Sequence, residues 1–467
     1  MMRRTALAFA LALTIAMPLQ ARQPTRMPDA AMAQAAAVRD KALGDDTGWK
    51  VLESLTTEVG PRLAGSEADA RAVQWAEEKF KALGYDKVWT EPVTFPKWVR
   101  RGEHGEVLGP HAQKLVLTAL GGSAGGTVEG EVVRFPDLAA LQAAADGSLA
   151  GKIAFVDYQM KPMRDGSDYR NGGGIRGAGP SVAIRKGAIG FLMRSAGTEA
   201  SRSPHTGNTH YEQGLEPIPA AALSTIDAAQ LARLVALGPT RVKLALDCGF
   251  DGEYTSQNVI GEITGRTHPG EIVLIGGHLD SWDHGTGAID DGAGIAITMA
   301  TGALLKPLKP ARTIRVVAFA NEEQGLHGGR AYADRHAGNV ANHVIAAESD
   351  FGAGRIYGFD SSARDAQPEA MQQFMQVLAP LGIEWQPGRG GPESDIGPMA
   401  GRGMAWANLA HDGTHYFDLH HNADDTLDKV DPKELAQNVA AYAVFTWLAA
   451  QAQGGFGSAA RAADARN

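Results

Sequence analysis

Acidic and histidine side chains follow three apolar runs in the second half of the sequence. These groups are 277–283 (GHLDSWD), 321–325 (NEEQG) and 348–350 (ESD), and two more stand at 287–292 (GAIDDG) and 420–426 (HHNADDT). Carboxylates buried in a crevice cost on the order of several kcal/mol each unless they are paired or bind a metal. Three runs that each end in such residues therefore indicate a metal site.

Five of these side chains have the types and the order of a two-metal site: His278, Asp290, Glu323, Asp350 and His421. One metal needs about four ligands, and two ions at ~3.5–4 Å share a carboxylate. With Asp290 shared, the five side chains give three ligands to each ion. Mixed carboxylates and imidazoles suit zinc best, and cobalt or manganese less well. The single cysteine, Cys248, excludes a cysteine-based zinc site and an intramolecular disulfide.

The neighbours of two ligands suggest separate duties. Asp280 lies two residues after His278, on the same side of an extended chain, where it can accept the second N–H of the imidazole. Glu322 precedes the ligand Glu323, and its carboxylate can take a proton from the attacking water and return it to the leaving amine. We therefore predict Glu322 and Asp280 as the catalytic pair.

The elements that must position these residues alternate between strands and helices. Such alternation predicts an α/β fold with a mostly parallel sheet and helices on both faces. In such a sheet the site lies beyond the carboxyl ends of the strands. The predicted strands are 271–276, 313–320 and 343–347, and the predicted helices are 293–305, 328–337, 369–381 and 432–450.

Composition divides the chain into five predicted parts. A basic start and a 13-residue apolar run (5–17) are typical of a secretory signal peptide, because ~20 residues are needed to span a bilayer. No later stretch reads as a membrane span, so an exported chain without stable membrane insertion is expected. His205 and His210, in a polar loop, are interpreted as surface residues. The parts are the signal peptide (1–21), a first section of the main domain (22–120), a β-rich domain (121–249), the section with the metal site (250–452) and a disordered tail (453–467).

The charge balance excludes one class of partner. The chain has 44 Lys and Arg against 53 Asp and Glu, a net charge of −9. An acidic surface repels phosphate backbones, so nucleic-acid binding is not expected.

The motifs HLDSWDHGTGAIDDGAG, NEEQGLHG, ESDFG and HHNADDT resemble, in order and spacing, those of the co-catalytic zinc exopeptidases, a family that includes bacterial leucyl aminopeptidases. The resemblance implies that His278, Asp290 and Asp350 hold one zinc and that Asp290, Glu323 and His421 hold the other. It also implies a cis Asp290–Asp291 peptide, a homodimer, and hydrolysis of unblocked dipeptides or short peptides. Residues 121–249 resemble a protease-associated domain, through GKIAFVDY, VAIRKGAIGFLMRS and IPAAALSTIDAAQL.

Two other functions fit part of the pattern. A non-catalytic binding protein on the same scaffold is disfavoured by the intact Glu322–Glu323 pair and both histidine ligands. A single-zinc acyltransferase of the glutaminyl cyclase type is disfavoured by the full set of ligands. The roles of His415, Tyr416 and His420 stay open. His284, His327 and His411 are interpreted as bystanders.

Overall fold

The computed structural model of the chain describes residues 24–458, so the predicted signal peptide and residues 459–467 of the predicted tail lie outside the described residues. The α-helices of this range are α1 (Asp29–Ala42), α2 (Thr47–Ser54), α3 (Glu67–Ala82), α4 (Leu138–Ala143), α5 (Tyr169–Arg185), α6 (Thr225–Leu237), α7 (Ala293–Leu305), α8 (His327–Arg335), α9 (Pro368–Leu378), α10 (Gly397–Gly401) and α11 (Pro432–Gln451). The strands are β1 (Lys87–Leu108), β2 (Gln113–Leu115), β3 (Leu117–Ala119), β4 (Gly126–Phe135), β5 (Ile153–Val156), β6 (Gly190–Arg194), β7 (Ala220–Leu223), β8 (Arg241–Ile263), β9 (His268–His278), β10 (Arg312–Phe319), β11 (His343–Glu348), β12 (Ile356–Ser361), β13 (Glu384–Trp385) and β14 (Ala407–His411).

Three neighbouring parallel strands carry the predicted site. β9 lies between β10 and β11. β10 is covered on both faces, because Ile314 and Val316 pack on the side of α7, whereas Val317 and Phe319 pack on the side of α8 and α10. Burial on both faces explains the nearly continuous apolar run of this strand. The predicted α/β fold with helices on both faces of the sheet is confirmed.

Two very long strands, β1 and β8, connect these strands to the β-rich segment (residues 121–249). β8 pairs antiparallel with β1 along most of its length, with β10 near its carboxyl end and with β4 near its start. One sheet therefore continues from β11 to β3. Its strands are parallel from β11 to β10 and from β4 to β7, but antiparallel around β8 and between β7 and β3. The whole sheet is thus mixed rather than mostly parallel. The predicted domain boundary at residues 249 and 250 falls inside β8.

The centre of the core is an apolar helical stretch. The sequence predicts no membrane span after residue 21, but by length and composition alone one described segment, Ala288–Leu308, is long and apolar enough to cross a membrane. However, 94% of its most apolar window is buried inside the protein, where α7 packs against α2, α11 and β9. A helix that is apolar on all sides is typical of a buried position in the middle of a large core.

The chain continues to pack after α11. Phe456 is buried, and the carbonyl of Gly454 accepts a hydrogen bond from Arg312 at 2.6 Å. The prediction of a disordered tail is therefore wrong for residues 453–458. The polar and glycine-rich composition of the tail gave no sign of its one buried aromatic residue, Phe456, or of the backbone carbonyl of Gly454 that binds a buried arginine.

Candidate metal centre

The carboxyl ends of β9, β10 and β11 place the predicted ligands at one edge of the sheet. His278 is the last residue of β9 and pairs in register with Phe319, the last residue of β10. Glu323 follows β10 in the next loop, and Asp350 stands two residues after β11. Because the three strands are parallel neighbours, these side chains emerge at the same edge.

Asp290 lies at the centre of the cluster, and its two carboxylate oxygens face different partners. Oδ1 is 3.1 Å from Nε2 of His278, and that nitrogen is 3.3 Å from Oδ1 of Asp350. Oδ2 is 3.1 Å from Nε2 of His421, and that nitrogen is 2.9 Å from Oε2 of Glu323. The structure thus brings all five predicted ligands together, in the two groups that a shared carboxylate requires.

The Nδ1 atoms of His278 and His421 point away from the cluster, and their partners determine which form of each ring nitrogen faces it. Nδ1 of His278 is 3.0 Å from the backbone carbonyl of Asp280, and Nδ1 of His421 is 3.3 Å from the carbonyl of Thr206. Each Nδ1 donates its proton to a carbonyl, so Nε2 of the neutral ring presents a lone pair to two carboxylate oxygens. Lone pairs and carboxylates repel each other unless a cation lies between them. This donor set therefore fits a metal.

The electrostatics of the cluster also call for cations. Burial would raise the pKa of Asp290, but without a cation between them the rings of the two histidines take up a proton and donate to this carboxylate, which holds its pKa well below the ordinary value. Burial and the nearby carboxylate of Asp350 raise the pKa of Glu322 well above its ordinary value. Burial also raises the pKa of Glu323, whose Oε1 has no hydrogen-bond partner among the described residues. Four carboxylates against two imidazoles leave negative charge for bound cations to balance.

The backbone that leads into Asp290 is held by the carboxylate of Asp425. The Asp290–Asp291 peptide bond is cis, as the family resemblance predicts. Asp425 accepts hydrogen bonds from the backbone N–H groups of Ile289 at 2.6 Å and Asp290 at 3.2 Å. Burial raises the pKa of Asp425 to about 7, against the effect of these two donors. Asp425 therefore supports the shared ligand.

Sequence reasoning missed Arg62, which fixes the loop between His278 and Asp290. Its fully buried guanidinium donates to the carbonyls of Leu279 at 2.5 Å, Thr286 at 2.7 Å and Gly287 at 2.9 Å. The available signal was its place between the apolar neighbours Pro61 and Leu63 of the segment VGPRLAGSEAD. Trp282 is interpreted from the sequence as a packing residue; in the structure it also donates its indole N–H to Oε2 of Glu323 at 2.6 Å.

The predicted contact between Asp280 and His278 is made by a different atom. The carboxylate of Asp280 is 3.6 Å from Nδ1 of His278, farther than the backbone carbonyl of the same residue. Its oxygens instead accept the backbone N–H groups of Glu322 at 3.0 Å and Glu323 at 3.4 Å. The expectation for the Asp280 side chain is thus corrected, because two amide donors of the next loop occupy the carboxylate. Asp280 positions the Glu322–Glu323 turn.

A cavity of about 440 Å³ opens over the cluster. Glu322 lines this cavity together with Asp290, Glu323 and Asp350, which places the residue beside the predicted ligands. The β-rich segment contributes another part of the wall, through Tyr169, Arg176, Asn208 and His210.

The two histidines of the polar loop behave differently. His210 is exposed, as expected. His205 is buried, so its prediction as a surface residue is wrong. The polar sequence around it was misleading, because the partners that satisfy its ring come from Glu199 and from the loop of the His421 ligand.

The residues before His421 divide into two groups. His420 stacks on His421 with ring centroids 3.4 Å apart, and its Nε2 is 3.5 Å from Oδ2 of Asp290. Tyr416 is buried and lines the cavity. The side chain of His415 is 85% exposed and contacts Asp418, which leaves it outside the site. The other expected bystanders contact Thr118 (His284), Phe95 (His327) and Tyr442 (His411).

Fold and site together define an α/β protein of the metallopeptidase class. Residues 258–446 match peptidase family M28. The chain is 33% identical to carboxypeptidase Q from Bos taurus over 409 residues, which are 86% of this chain and 85% of that protein. The chain therefore belongs to peptidase family M28, and the resemblance predicted from its motifs is confirmed.

Solved structures agree with this assignment. The crystal structure of a peptidase M28 precursor from Shewanella amazonensis SB2B has a TM-score of 0.88 and 46% sequence identity, over 90% of this chain and 96% of that one. A zinc aminopeptidase from Bacillus subtilis shares the fold, with a TM-score of 0.64 and 21% identity over 86% of this chain and 94% of that one.

Proposed function

We propose that the chain is an exported exopeptidase that holds two zinc ions and hydrolyses unblocked dipeptides or short peptides. The observation that carries this proposal is the two-sided contact of Asp290, which gives one histidine and one further carboxylate to each of its oxygens. Bound zinc would supply Lewis-acid chemistry, by polarising the scissile carbonyl and making water more acidic. The name of the Bacillus subtilis relative supports zinc, and the name of the bovine relative supports a peptidase.

Glu322 is the general base of this proposal. Its side chain lines the cavity beside the ligands, and its backbone N–H is fixed by the carboxylate of Asp280. The Glu322 carboxylate takes a proton from the attacking water and gives it to the nitrogen of the leaving amine. One residue therefore acts first as a base and then as an acid.

The charges on the cavity wall favour short substrates with free ends. The carboxylates suit the α-ammonium group of an N-terminal residue, and Arg176 is the one lysine or arginine among the described lining residues. Nη2 of Arg176 donates to the hydroxyl of Tyr169 at 2.5 Å, and Nη1 donates to the carbonyl of Thr206 at 3.3 Å. A guanidinium held in this way can pair with the α-carboxylate of a dipeptide.

The test compares dipeptides with their N-acetylated forms, before and after chelation, together with the zinc content of the protein. We expect two zinc ions per chain, cleavage of the unblocked dipeptides, and loss of cleavage after chelation that added zinc restores. Cleavage of acetylated dipeptides at a similar rate would contradict the proposal. A single zinc with cyclisation of N-terminal glutamine would favour the acyltransferase, and protein without zinc or turnover would favour the binding protein.

Export is the part of the proposal that rests on residues 1–21 alone. We expect the chain produced with its native N-terminus to lose this segment and to be recovered outside the cytoplasm. The mass of the purified protein and sequencing of its N-terminus test this. Full-length protein recovered from the cytoplasm would contradict export and leave the catalytic proposal standing.

A further inference from the structure

The last predicted ligand, His421, has an uncommon backbone conformation. Its φ is +65°, in the left-handed region that few non-glycine residues adopt. Such a conformation costs on the order of 1–3 kcal/mol and persists where the surroundings hold it. His421 lies in none of the described helices or strands, and contacts from a distant part of the chain add to the local turn bond from the N–H of Asn422 to the carbonyl of Leu419.

These contacts come from Thr206, in the β-rich segment. Its backbone N–H donates to the carbonyl of His421 at 3.0 Å, and its carbonyl accepts from Nδ1 of His421 at 3.3 Å. The two residues are 215 positions apart in the sequence. One residue of the β-rich segment therefore fixes both the backbone and the ring orientation of the ligand.

His205 holds the preceding residue in the same way. Its Nδ1 donates to the carbonyl of His420 at 2.5 Å, and its Nε2 is 2.8 Å from Oε2 of Glu199 and 3.2 Å from Nδ2 of Asn422. The side chain of His205 is fully buried. Partners on both ring nitrogens prevent the imidazole from turning, so the carbonyl of His420 has a fixed donor.

The position of His205 is itself tied to the sheet. Its backbone N–H donates to Oγ of Ser195 at 2.9 Å, and Ser195 directly follows β6. The hydroxyl of Ser195 in turn donates to the carbonyl of Leu223, the last residue of β7, at 2.6 Å. A short series of buried hydrogen bonds thus connects the parallel strands of the β-rich segment to the loop of the ligand.

We propose that His205 is a positioning residue for the His421 ligand, so that retention of one of the two metal ions depends on the β-rich segment. This inference rests on the proposed metal-dependent function. Outer contacts that orient a ligand typically change metal affinity or activity by about 10–100-fold. We expect His205 to have an effect of that size on the ion held by His421, and little effect on the ion held by His278.

The test uses two variants that differ in where they place a donor. In His205→Asn the side-chain amide nitrogen takes the place of Nδ1, and the hydrogen bond to the carbonyl of His420 is kept. In His205→Gln the amide nitrogen takes the place of Nε2, and that hydrogen bond is lost. We expect His205→Gln to bind one zinc as tightly as wild type and the second about 10–100-fold more weakly. His205→Asn should recover most of that affinity. Titration of the metal-free proteins with zinc against a competing chelator measures both affinities.

A stability control separates positioning from general weakening. Leu234→Ala removes a buried side chain of α6, in the core of the β-rich segment and about two turns beyond Asp227, the residue of this helix that binds Arg202. It should lower Tm but leave both zinc affinities unchanged. Visible spectra of the cobalt-substituted proteins give a second readout, and we expect a changed spectrum for His205→Gln alone.

The outcomes distinguish the inference from the proposed function. Wild-type protein that binds two zinc ions, together with a His205→Gln variant of equal affinity for both, would overturn the inference alone. Equal losses in His205→Gln and Leu234→Ala would overturn it as well. Wild-type protein that binds no zinc would overturn the proposed function and the inference with it.

Discussion

The strand ends of the main domain and the β-rich segment contribute to one site by different means. The strand ends supply side chains predicted as ligands, such as His278 and Asp350. The β-rich segment supplies the backbone carbonyl of Thr206, which orients the ring of His421, and the positively charged side chain of Arg176 in the cavity wall. Side-chain ligands leave a motif in the sequence because their residue types are restricted. A backbone carbonyl leaves none, because every residue has one.

The largest effect is expected at the centre of the strand-end cluster. Asp290→Asn replaces the shared carboxylate with an amide, whose nitrogen is no metal ligand and would face a histidine. We expect kcat to fall by several orders of magnitude and zinc to be lost, with an unchanged circular dichroism spectrum. Asp424→Asn, in the same acidic motif as the supporting Asp425, is the control and should retain zinc. An Asp290→Asn enzyme with normal zinc content and kcat would show that the carboxylate is not shared.

Glu322→Gln should separate catalysis from metal binding. Removal of a general base typically lowers the rate by about 10²–10⁴-fold. We expect that loss in kcat with KM little changed and two zinc ions retained, because Glu322 lines the cavity next to the ligands without being one of them. Kinetics and zinc analysis of the same preparation measure this. A near-normal kcat would refute the role given to Glu322.

The difference between side-chain ligands and backbone contacts also explains what could be predicted from the sequence. Helix α7 was predicted with its observed bounds, and the strands of the site within a few residues, because long apolar runs report burial directly. The five predicted ligands also meet in one cluster. Both successes rest on side-chain types and their order along the chain.

The failures involve contacts between distant parts of the chain. His205 read as a surface residue because its polar neighbours in sequence give no sign of the buried carbonyl of His420 that it binds. Arg62 was missed because three of the four backbone carbonyls that its guanidinium binds are more than 200 residues away. The mixed sheet was missed because the length and pairing of β8 depend on β1, which lies far earlier in the chain.

An intermediate effect is expected at Arg176, the positively charged residue that the β-rich segment contributes to the cavity wall. Arg176→Gln removes the charge, and a charge-assisted hydrogen bond is worth about 1.5–3 kcal/mol. KM for dipeptides should therefore rise about 10–100-fold. Dipeptide amides, which lack the α-carboxylate, should be cleaved equally well by the wild-type enzyme and the Arg176→Gln variant.

A control on the same helix tests whether this effect is specific. Arg185 is also part of α5, but its guanidinium pairs with Glu212 away from the cavity. Arg185→Gln should leave KM for dipeptides unchanged. Equal rises in KM for dipeptides and their amides in Arg176→Gln would contradict recognition of the carboxylate.

The smallest effect is expected where the β-rich segment touches the ligand loop without orienting a ligand. The hydroxyl of Thr198 donates to Oδ1 of Asp418 at 2.7 Å, and the other oxygen of Asp418 contacts His415 at 3.0 Å. Thr198→Val keeps the shape and removes one hydrogen bond, which is worth about 0.5–1.5 kcal/mol of unfolding free energy. We expect a small fall in Tm and unchanged zinc affinity, measured alongside His205→Gln. If Thr198→Val weakened zinc binding as much as His205→Gln, every contact with this loop would serve equally and the β-rich segment would stabilise the site without positioning its ligand.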